Sequence, residues 1–137
     1  VLLSVSSVLM VILFNPAKQI VGGSAIWGMN RIDMLTRQSY NSKGMLYLVE
    51  DVIPTDVVVG VATNGADYPQ YGIFGEHFTR KVIDILPGTE LTDQAWLQQN
   101  QIDYLLILKT DDFPGQIAPD YHFLDGKGDW MVYTNQP

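Results

Sequence analysis

The sequence predicts an α/β fold, a small and mainly parallel sheet flanked by helices and preceded by an apolar N-terminal helix. Three observations support this fold class. Short apolar runs rich in β-branched residues alternate with amphipathic stretches of helical period, as in parallel sheets that are covered on both faces. Pro and Gly end most of these runs. The first seventeen residues carry no charge, and 137 residues are enough for one domain with a core.

The opening segment VLLSVSSVLMVILFNPA (1–17) is the first element. As a helix it would rise about 25 Å, a little less than the roughly 30 Å hydrocarbon core of a bilayer. Pro16 would end this helix. Because the segment has no initiating Met and starts at full hydrophobicity, we expect it to be the end of a transmembrane helix. A buried core element is the alternative, since runs of about 10–14 apolar residues often form one.

This interpretation divides the chain into three parts. Residues 1–17 end a membrane helix, residues 18–30 form a connector, and residues 31–137 form a soluble α/β domain. The connector contains GGSAIWG, which follows no strand and lacks the glycine spacing of a dinucleotide-binding loop.

Periodicity and breaker residues place the helices and strands of the domain. We expect helices at 33–40 and 43–51, and a third at 92–102. Thr92 is the expected N-cap of the third helix. The expected strands are DVVVGVATN (56–64), YGIFG (71–75), RKVIDILP (80–87), DYLLILK (103–109) and GDWMVYTN (128–135). Strand, helix and strand within 80–108 favour a right-handed βαβ unit.

Two features support the strand assignments. The run at 56–64 is apolar and β-branched and ends at the turn Asn64-Gly65, as is typical of a central parallel strand. Pro87 stops the run at 80–87, because Pro cannot donate to a sheet hydrogen bond.

Composition restricts the class of function. Eight Lys and Arg against fifteen Asp and Glu give a net charge of −7, which excludes a nucleic-acid surface because phosphates require clustered cations. Residues 1–40 hold three cations and one anion, whereas residues 41–137 hold five cations and fourteen anions. The chain has no cysteine, so disulfides and thiolate zinc sites are excluded. We expect no metal and no cofactor.

Two polar clusters are candidate ligand-binding sites, although no motif assembles a complete active site. Glu76, His77 and Arg80 lie together in GEHFTRK and could hold a phosphate or act as an acid and base. Asp111 and Asp112 follow an expected parallel strand, at the end where ligands bind in open α/β sheets. For both clusters, an ordinary solvated loop is the alternative.

The segment DYHFLDGKGDW (120–130) holds three Asp and two Gly but lacks the spacing of a calcium loop. We therefore expect an exposed hairpin turn there. His122 lies between two aromatic residues and is expected to be a half-buried packing residue rather than a metal ligand.

Three consecutive segments and a terminal strand carry a resemblance to a known family. They are EDVIPTDVVVGVA, DYPQYGIFGEHFTRKVIDILP, LQQNQIDYLLIL and WMVYTN. In this order they resemble the C-terminal soluble domain of polytopic glycosyltransferases of the GT-C superfamily, the dolichyl-phosphate-mannose protein mannosyltransferase-like enzymes and their bacterial relatives. The matching positions are packing patterns rather than catalytic signatures.

The resemblance implies a function for the chain. It would be the non-catalytic soluble C-terminal domain of a membrane-embedded glycosyltransferase that uses a lipid-phosphate-linked sugar donor. The family's acidic catalytic residues lie between early membrane helices, so none is carried over to this chain. The partners would be the membrane, through the N-terminal helix, and the rest of the parent protein. The domain would lie outside the cytoplasm, although Lys18 and Arg31 near the span favour the cytoplasmic side. The alternative is a small α/β ligand- or protein-binding module with a membrane anchor.

Overall fold

The structure is a computed structural model of the chain. It describes the following residues: 32–33, 42–68, 70–75, 77–86, 91–110 and 115–137. The chain divides into two compact units, Val1–Gln38 and Ser39–Pro137. The expected N-terminal helix (1–17), the connector (18–30) and all but the first residue of the expected helix 33–40 lie outside the described residues. Within the described part, no helix has the length and apolar character needed to cross a bilayer.

The described residues of the second unit form three helices and five strands. In chain order they are α1 (Lys43–Asp51), β1 (Val58–Ala62), α2 (Gln70–Ile73), β2 (Lys81–Ile85), α3 (Gln94–Gln99), β3 (Tyr104–Leu108), β4 (His122–Lys127) and β5 (Trp130–Thr134). The strands form one sheet in the order β2-β1-β3-β5-β4. Strand β1 pairs in parallel with β2 and β3, whereas β5 pairs in antiparallel with β3 and β4.

The predicted fold class is therefore wrong in its sheet, which is mixed rather than mainly parallel. The difference arises at 120–130, where only a turn was expected. Instead this segment contains β4, which joins β5 through a tight turn at Gly128-Asp129. All six residues of β4 are exposed, so the strand has no buried face and no hydrophobic alternation to predict it. The apolar N-terminal helix is not shown either, because it lies outside the described residues.

Most of the other elements match the sequence prediction. The helix expected at 43–51 is confirmed with the same bounds as α1. The strands expected at 56–64, 80–87, 103–109 and 128–135 are confirmed as β1, β2, β3 and β5. Apolar, β-branched runs bounded by turn residues thus predict the strands that are at least partly buried.

Two predictions about helices are wrong. The segment YGIFG was expected to be extended, but Gln70–Ile73 form helix α2. A Cβ on Gly72 would overlap a methyl carbon of Leu46, so close packing on α1 holds this short helix. The N-cap of α3 is Asp93 rather than Thr92, because the Asp93 carboxylate accepts a hydrogen bond from the Trp96 amide at 3.0 Å.

The core covers both faces of the central strands. Leu105 and Ile107 of β3 belong to a buried cluster with Leu97 of α3. Val59 of β1 and Leu106 of β3 are also buried, and side chains at alternate positions of a strand point to opposite faces. Helix α1 contacts β4, β5 and α2 and buries four apolar side chains: Met45, Leu46, Leu48 and Val49.

Arg80, just before β2, is buried and bonds to the backbone at the end of α1. Its Nη2 donates to the carbonyls of Val49 at 2.8 Å and Ile53 at 2.6 Å. Its Nε donates to the carbonyl of Pro54 at 2.7 Å. The last carbonyls of a helix lack partners within the helix and carry partial negative charge. The guanidinium therefore satisfies the end of α1 and joins it to the start of β2.

Gly75 makes room for this guanidinium. Its φ is +80°, a conformation that favours glycine, and an added Cβ would lie 2.8 Å from the Nη1 atom of Arg80. Gly128, at φ +64°, has the same kind of backbone but nothing within 4 Å of an added Cβ.

We expect Arg80→Met to lower the free energy of unfolding by about 2–4 kcal/mol, because it leaves several buried carbonyls without donors. Urea denaturation of the variant and of the parent chain measures the difference. Lys81→Met, at the exposed neighbouring position, is the matched control and should change the free energy by less than about 0.5 kcal/mol. Equal effects of the two substitutions would contradict the role given to Arg80.

We expect Gly75→Ala to destabilise the chain more than Gly128→Ala. Both substitutions cost about 1 kcal/mol for the left-handed backbone, but only Gly75→Ala also displaces the Arg80 guanidinium. Denaturation midpoints of the two variants measure the difference. If the two variants were equally stable, Gly75 would have no role in seating Arg80.

Candidate functional site

The candidate site lies where β1 and β2 end. In the order β2-β1-β3, the chain leaves β1 for β2 on one side and then crosses to β3 on the other side. The three strands are parallel, so their carboxyl ends meet at one edge of the sheet. Open α/β sheets bind ligands at this edge, close to the strand where the order reverses.

An open cavity of about 200 Å³ occupies this edge. Its lining residues are Val61, Thr63, Gly65, Ala66, Asp67, Tyr68, Gln70, Asp84, Ile85 and Leu86. The loop after β1 begins with a tight turn, in which the Ala66 amide donates to the Thr63 carbonyl at 3.0 Å. Both central residues, Asn64 and Gly65, have positive φ, which is the chemistry of an Asn-Gly type I′ turn. The turn expected at this dipeptide is confirmed.

Asp84 is at the centre of the polar part of the cavity. The hydroxyl of Tyr68 donates to its Oδ1, and the Nε2 of Gln70 donates to its Oδ2 at 3.0 Å. Asp84 lies opposite Val61 in the parallel register of β1 and β2. The loop after β1, the start of α2 and the end of β2 therefore meet at one carboxylate.

Tyr68 links this carboxylate to strand β5, which lies beyond β3 in the sheet. Its ring packs edge-on against Trp130 of β5, with the ring centroids 6.3 Å apart. Partial burial, together with the hydrogen bond to the negative Asp84 carboxylate, raises the pKa of the Tyr68 hydroxyl well above its ordinary value. Tyr68 therefore keeps its proton at neutral pH and acts as a hydrogen-bond donor.

The cavity is negatively charged. Asp67 and Asp84 line it, and the lining residues that the structure describes include no Lys, Arg or His. In the part of the chain that the structure describes, no group of three or more His, Asp or Glu could hold a metal ion. The site therefore offers carboxylate acceptors, an amide and a phenol to a ligand.

Two of the five site residues expected from the sequence are described by the structure. His77 is exposed in the loop before β2. Arg80 is buried, and its guanidinium binds carbonyls at the end of α1. Glu76, Asp111 and Asp112 lie outside the described residues. A ligand-binding role for these five residues stays a prediction.

Sequence reasoning missed the polar residues of the cavity. Asp67, Tyr68 and Gln70 follow the run expected to be a central strand, so the rule applied to Asp111-Asp112 could have indicated them. Asp84 gave a weaker signal, a single acid within the apolar run KVIDI.

His122, expected to be half-buried, is exposed on β4, and that prediction is wrong. The aromatic neighbours suggested packing, but β4 is an edge strand whose residues are all exposed.

A hydrogen-bond network lies at the opposite end of the parallel strands, where β1 and β3 begin. The Asp103 carboxylate accepts from the Val58 amide at 2.8 Å. The Tyr121 hydroxyl and the Asn135 side-chain amide both donate to the Ile102 carbonyl. Burial, followed by the negative charge of Asp103, raises the pKa of Tyr121 to about 12. This network joins β1, β3 and the C-terminal residues, which is a structural role.

Comparison with known proteins gives no relative for the chain. No protein-family model matches it, and neither does any curated protein or solved structure. The resemblance to glycosyltransferases therefore stays a prediction. The geometry of the cavity carries the functional argument.

We expect stability to fall with rising pH as Tyr121 titrates. In the unfolded chain its pKa is near about 10, so between this value and the folded value of about 12 the folded state holds more protons. The contribution is therefore complete below pH about 10 and is lost as the pH rises through about 12. Urea denaturation at several pH values measures this slope.

Tyr121→Phe should make the slope shallower, while Tyr71→Phe, at an exposed position of α2, is the control and should leave it unchanged. An unchanged slope in Tyr121→Phe would show that this hydroxyl does not carry the alkaline loss of stability.

Proposed function

We propose that the unit Ser39–Pro137 is a non-catalytic binding domain, and that it serves as the soluble C-terminal domain of a membrane-embedded glycosyltransferase with a lipid-phosphate-linked sugar donor. The observation that carries the binding role is the Asp84 carboxylate, which two neutral donors hold at the mouth of an open cavity. The cavity lies at the sheet edge where open α/β folds bind ligands.

The chemistry of the cavity supports a binding role rather than a catalytic one. A hydrolytic or transfer site needs a nucleophile, a base and a group that orients the base. The lining residues include one hydroxyl from Thr63 and one from Tyr68, and Tyr68 keeps its proton. The one hydroxyl that donates to Asp84 in the described residues is that of Tyr68, and no Ser or Thr hydroxyl does so.

The glycosyltransferase context rests on the resemblance described above. Four of the five polar side chains in the described lining, Asp67, Tyr68, Gln70 and Asp84, lie in the segment DYPQYGIFGEHFTRKVIDILP, which carries part of that resemblance. The site and the family pattern thus share one stretch of chain, which supports placing the binding role in that context.

A protein-binding module with a membrane anchor is the second candidate. Strand β4 favours it, because the strand lies at the edge of the sheet and exposes Phe123 and Leu124 by 56% and 43%. The reading frame upstream of Val1 separates the two contexts. Many apolar spans with an acidic first long loop support the glycosyltransferase, and a single span supports the anchored module.

We expect the full chain, purified in detergent, to transfer no sugar. The assay would supply a lipid-phosphate-linked sugar and a hydroxyl-bearing acceptor and measure product against a blank without protein. The reason is that the described lining assembles no hydroxyl nucleophile with its base: Tyr68 keeps its proton, and Asp84 accepts from no Ser or Thr hydroxyl. Turnover that rises with the concentration of the chain would overturn the non-catalytic assignment.

A further inference from the structure

We propose that the cavity at the ends of β1 and β2 binds a neutral, hydroxyl-rich ligand, a sugar or polyol without a phosphate. This inference rests on the proposed binding function and names the ligand class of the same site. In a glycosyltransferase, such a ligand corresponds to the hydroxyl-bearing acceptor rather than to the phosphate-bearing donor.

The charge of the cavity excludes the phosphate. Among the lining residues that the structure describes, Asp67 and Asp84 are charged, and both are acidic. Phosphate sites in proteins place Arg, Lys or backbone amides of a helix N-terminus against the anion. Lys81, the nearest cation in sequence to Asp84, is not among the described lining residues. Arg80, the next nearest, donates instead to the carbonyls at the end of α1. A phosphate in the cavity would therefore meet like charge without compensation.

The hydrogen-bonding capacity of Asp84 suits neighbouring hydroxyl groups. An ionised carboxylate has about four acceptor positions, and Tyr68 and Gln70 occupy two of them. Each oxygen keeps capacity for one more donor. Two adjacent hydroxyls of a sugar ring can reach the two oxygens of one carboxylate, as paired donors do in bidentate contacts.

The same two contacts fix the carboxylate before a ligand arrives. Tyr68 is itself held by its edge-on contact with Trp130. A site whose acceptor is already oriented loses less side-chain entropy on binding. Because both donors to Asp84 are neutral, neither of them offsets the charge of the carboxylate with a positive one, and it remains a strong acceptor.

The size and the apolar walls of the cavity suit a small sugar or polyol. Its volume of about 200 Å³ is below the range of about 300–1,000 Å³ typical of drug-sized ligands, so it fits one small ring. Val61, Ala66, Ile85 and Leu86 supply apolar wall next to the polar cluster. A sugar ring presents C–H groups to such a wall and hydroxyls to the carboxylate.

The test is a titration of the full, ¹⁵N-labelled chain followed by amide chemical shifts. Three probes share one ring and differ in charge: methyl glucoside, glucosamine and glucose 6-phosphate. We expect methyl glucoside to shift the amides of Gly65, Ala66 and Leu86 with a dissociation constant on the order of 1–10 mM. Glucosamine should bind within about threefold of this value, and the phosphate at least about tenfold more weakly.

Asp84→Asn should weaken the binding of methyl glucoside about tenfold, which is roughly 1.4 kcal/mol. Asp56→Asn is the matched control, because Asp56 is exposed before β1, at the opposite end of the strand, and its positive φ of 61° suits Asn. It should leave the binding unchanged. If Asp84→Asn does not fold, Asp67→Asn, at an exposed position of the lining, should weaken binding about threefold.

The outcomes separate this inference from the proposed function. Binding of glucosamine at the same amides more than about threefold tighter than methyl glucoside, or of the phosphate less than about tenfold weaker, overturns the neutral ligand class and leaves the binding domain standing. Shifts confined to the amides of β4 overturn the site. The absence of any shift with all three probes at tens of millimolar overturns both the ligand class and the small-molecule binding role.

Discussion

The buried guanidinium of Arg80 is the contact on which the rest of the fold depends. It binds carbonyls of Val49, Ile53 and Pro54, which come from the end of α1 and the segment that leads into β1. These acceptors are backbone atoms, so the contact fixes the path of the chain rather than the choice of neighbouring side chains. Arg80 directly precedes β2. Because its guanidinium is bound at the end of α1, the position of that helix end determines where β2 begins. The position of Asp84, four residues later on the same strand, follows from that start.

The amino and carboxyl ends of the parallel strands serve different purposes. At the amino ends of these strands, Asp103 bonds to the backbone of β1, and Tyr121 bonds to the backbone of Ile102, two residues before β3. Their polar atoms are thus engaged within the fold. At the carboxyl edge, Asp84 is held by side chains alone and faces an open cavity. Buried polar groups stabilise a structure when the protein itself supplies all their hydrogen-bond partners. A binding site, by contrast, needs acceptors that can still accept a hydrogen bond from a ligand. The difference between the edges is therefore the structural basis for placing function at the carboxyl edge.

The sequence predicts those parts of the fold that burial determines. Strands β1, β2, β3 and β5 are at least partly buried, and apolar composition marks each of them. Strand β4 could not be predicted in this way, because the hydrogen bonds to β5 hold it while its side chains stay exposed. Helix α2 spans four residues, too few for propensity to decide, and the packing of Gly72 on Leu46 determines it. Packing of this kind joins residues far apart in the chain, and a local pattern does not contain it.

The candidate site was missed for the same reason: its residues are far apart in the chain, and no local pattern shows that they meet. Tyr68 and Asp84 are sixteen residues apart in sequence, and only the parallel register of β1 and β2 brings them together. Acidity alone gives no signal, because residues 41–137 carry fourteen anions. What distinguishes Asp84 is that it combines neutral donors, Tyr68 and Gln70, with a place in the lining of the cavity. Asp120 also accepts from neutral side chains, those of Gln94 and Gln98, but it does not line the cavity. A carboxylate that serves the fold usually takes a cation or a backbone amide, as Asp103 takes the amide of Val58. One that is oriented by neutral side chains and lines an open cavity is arranged instead to accept hydrogen bonds from a ligand. The second acid of the lining, Asp67, restricts that ligand to one without negative charge.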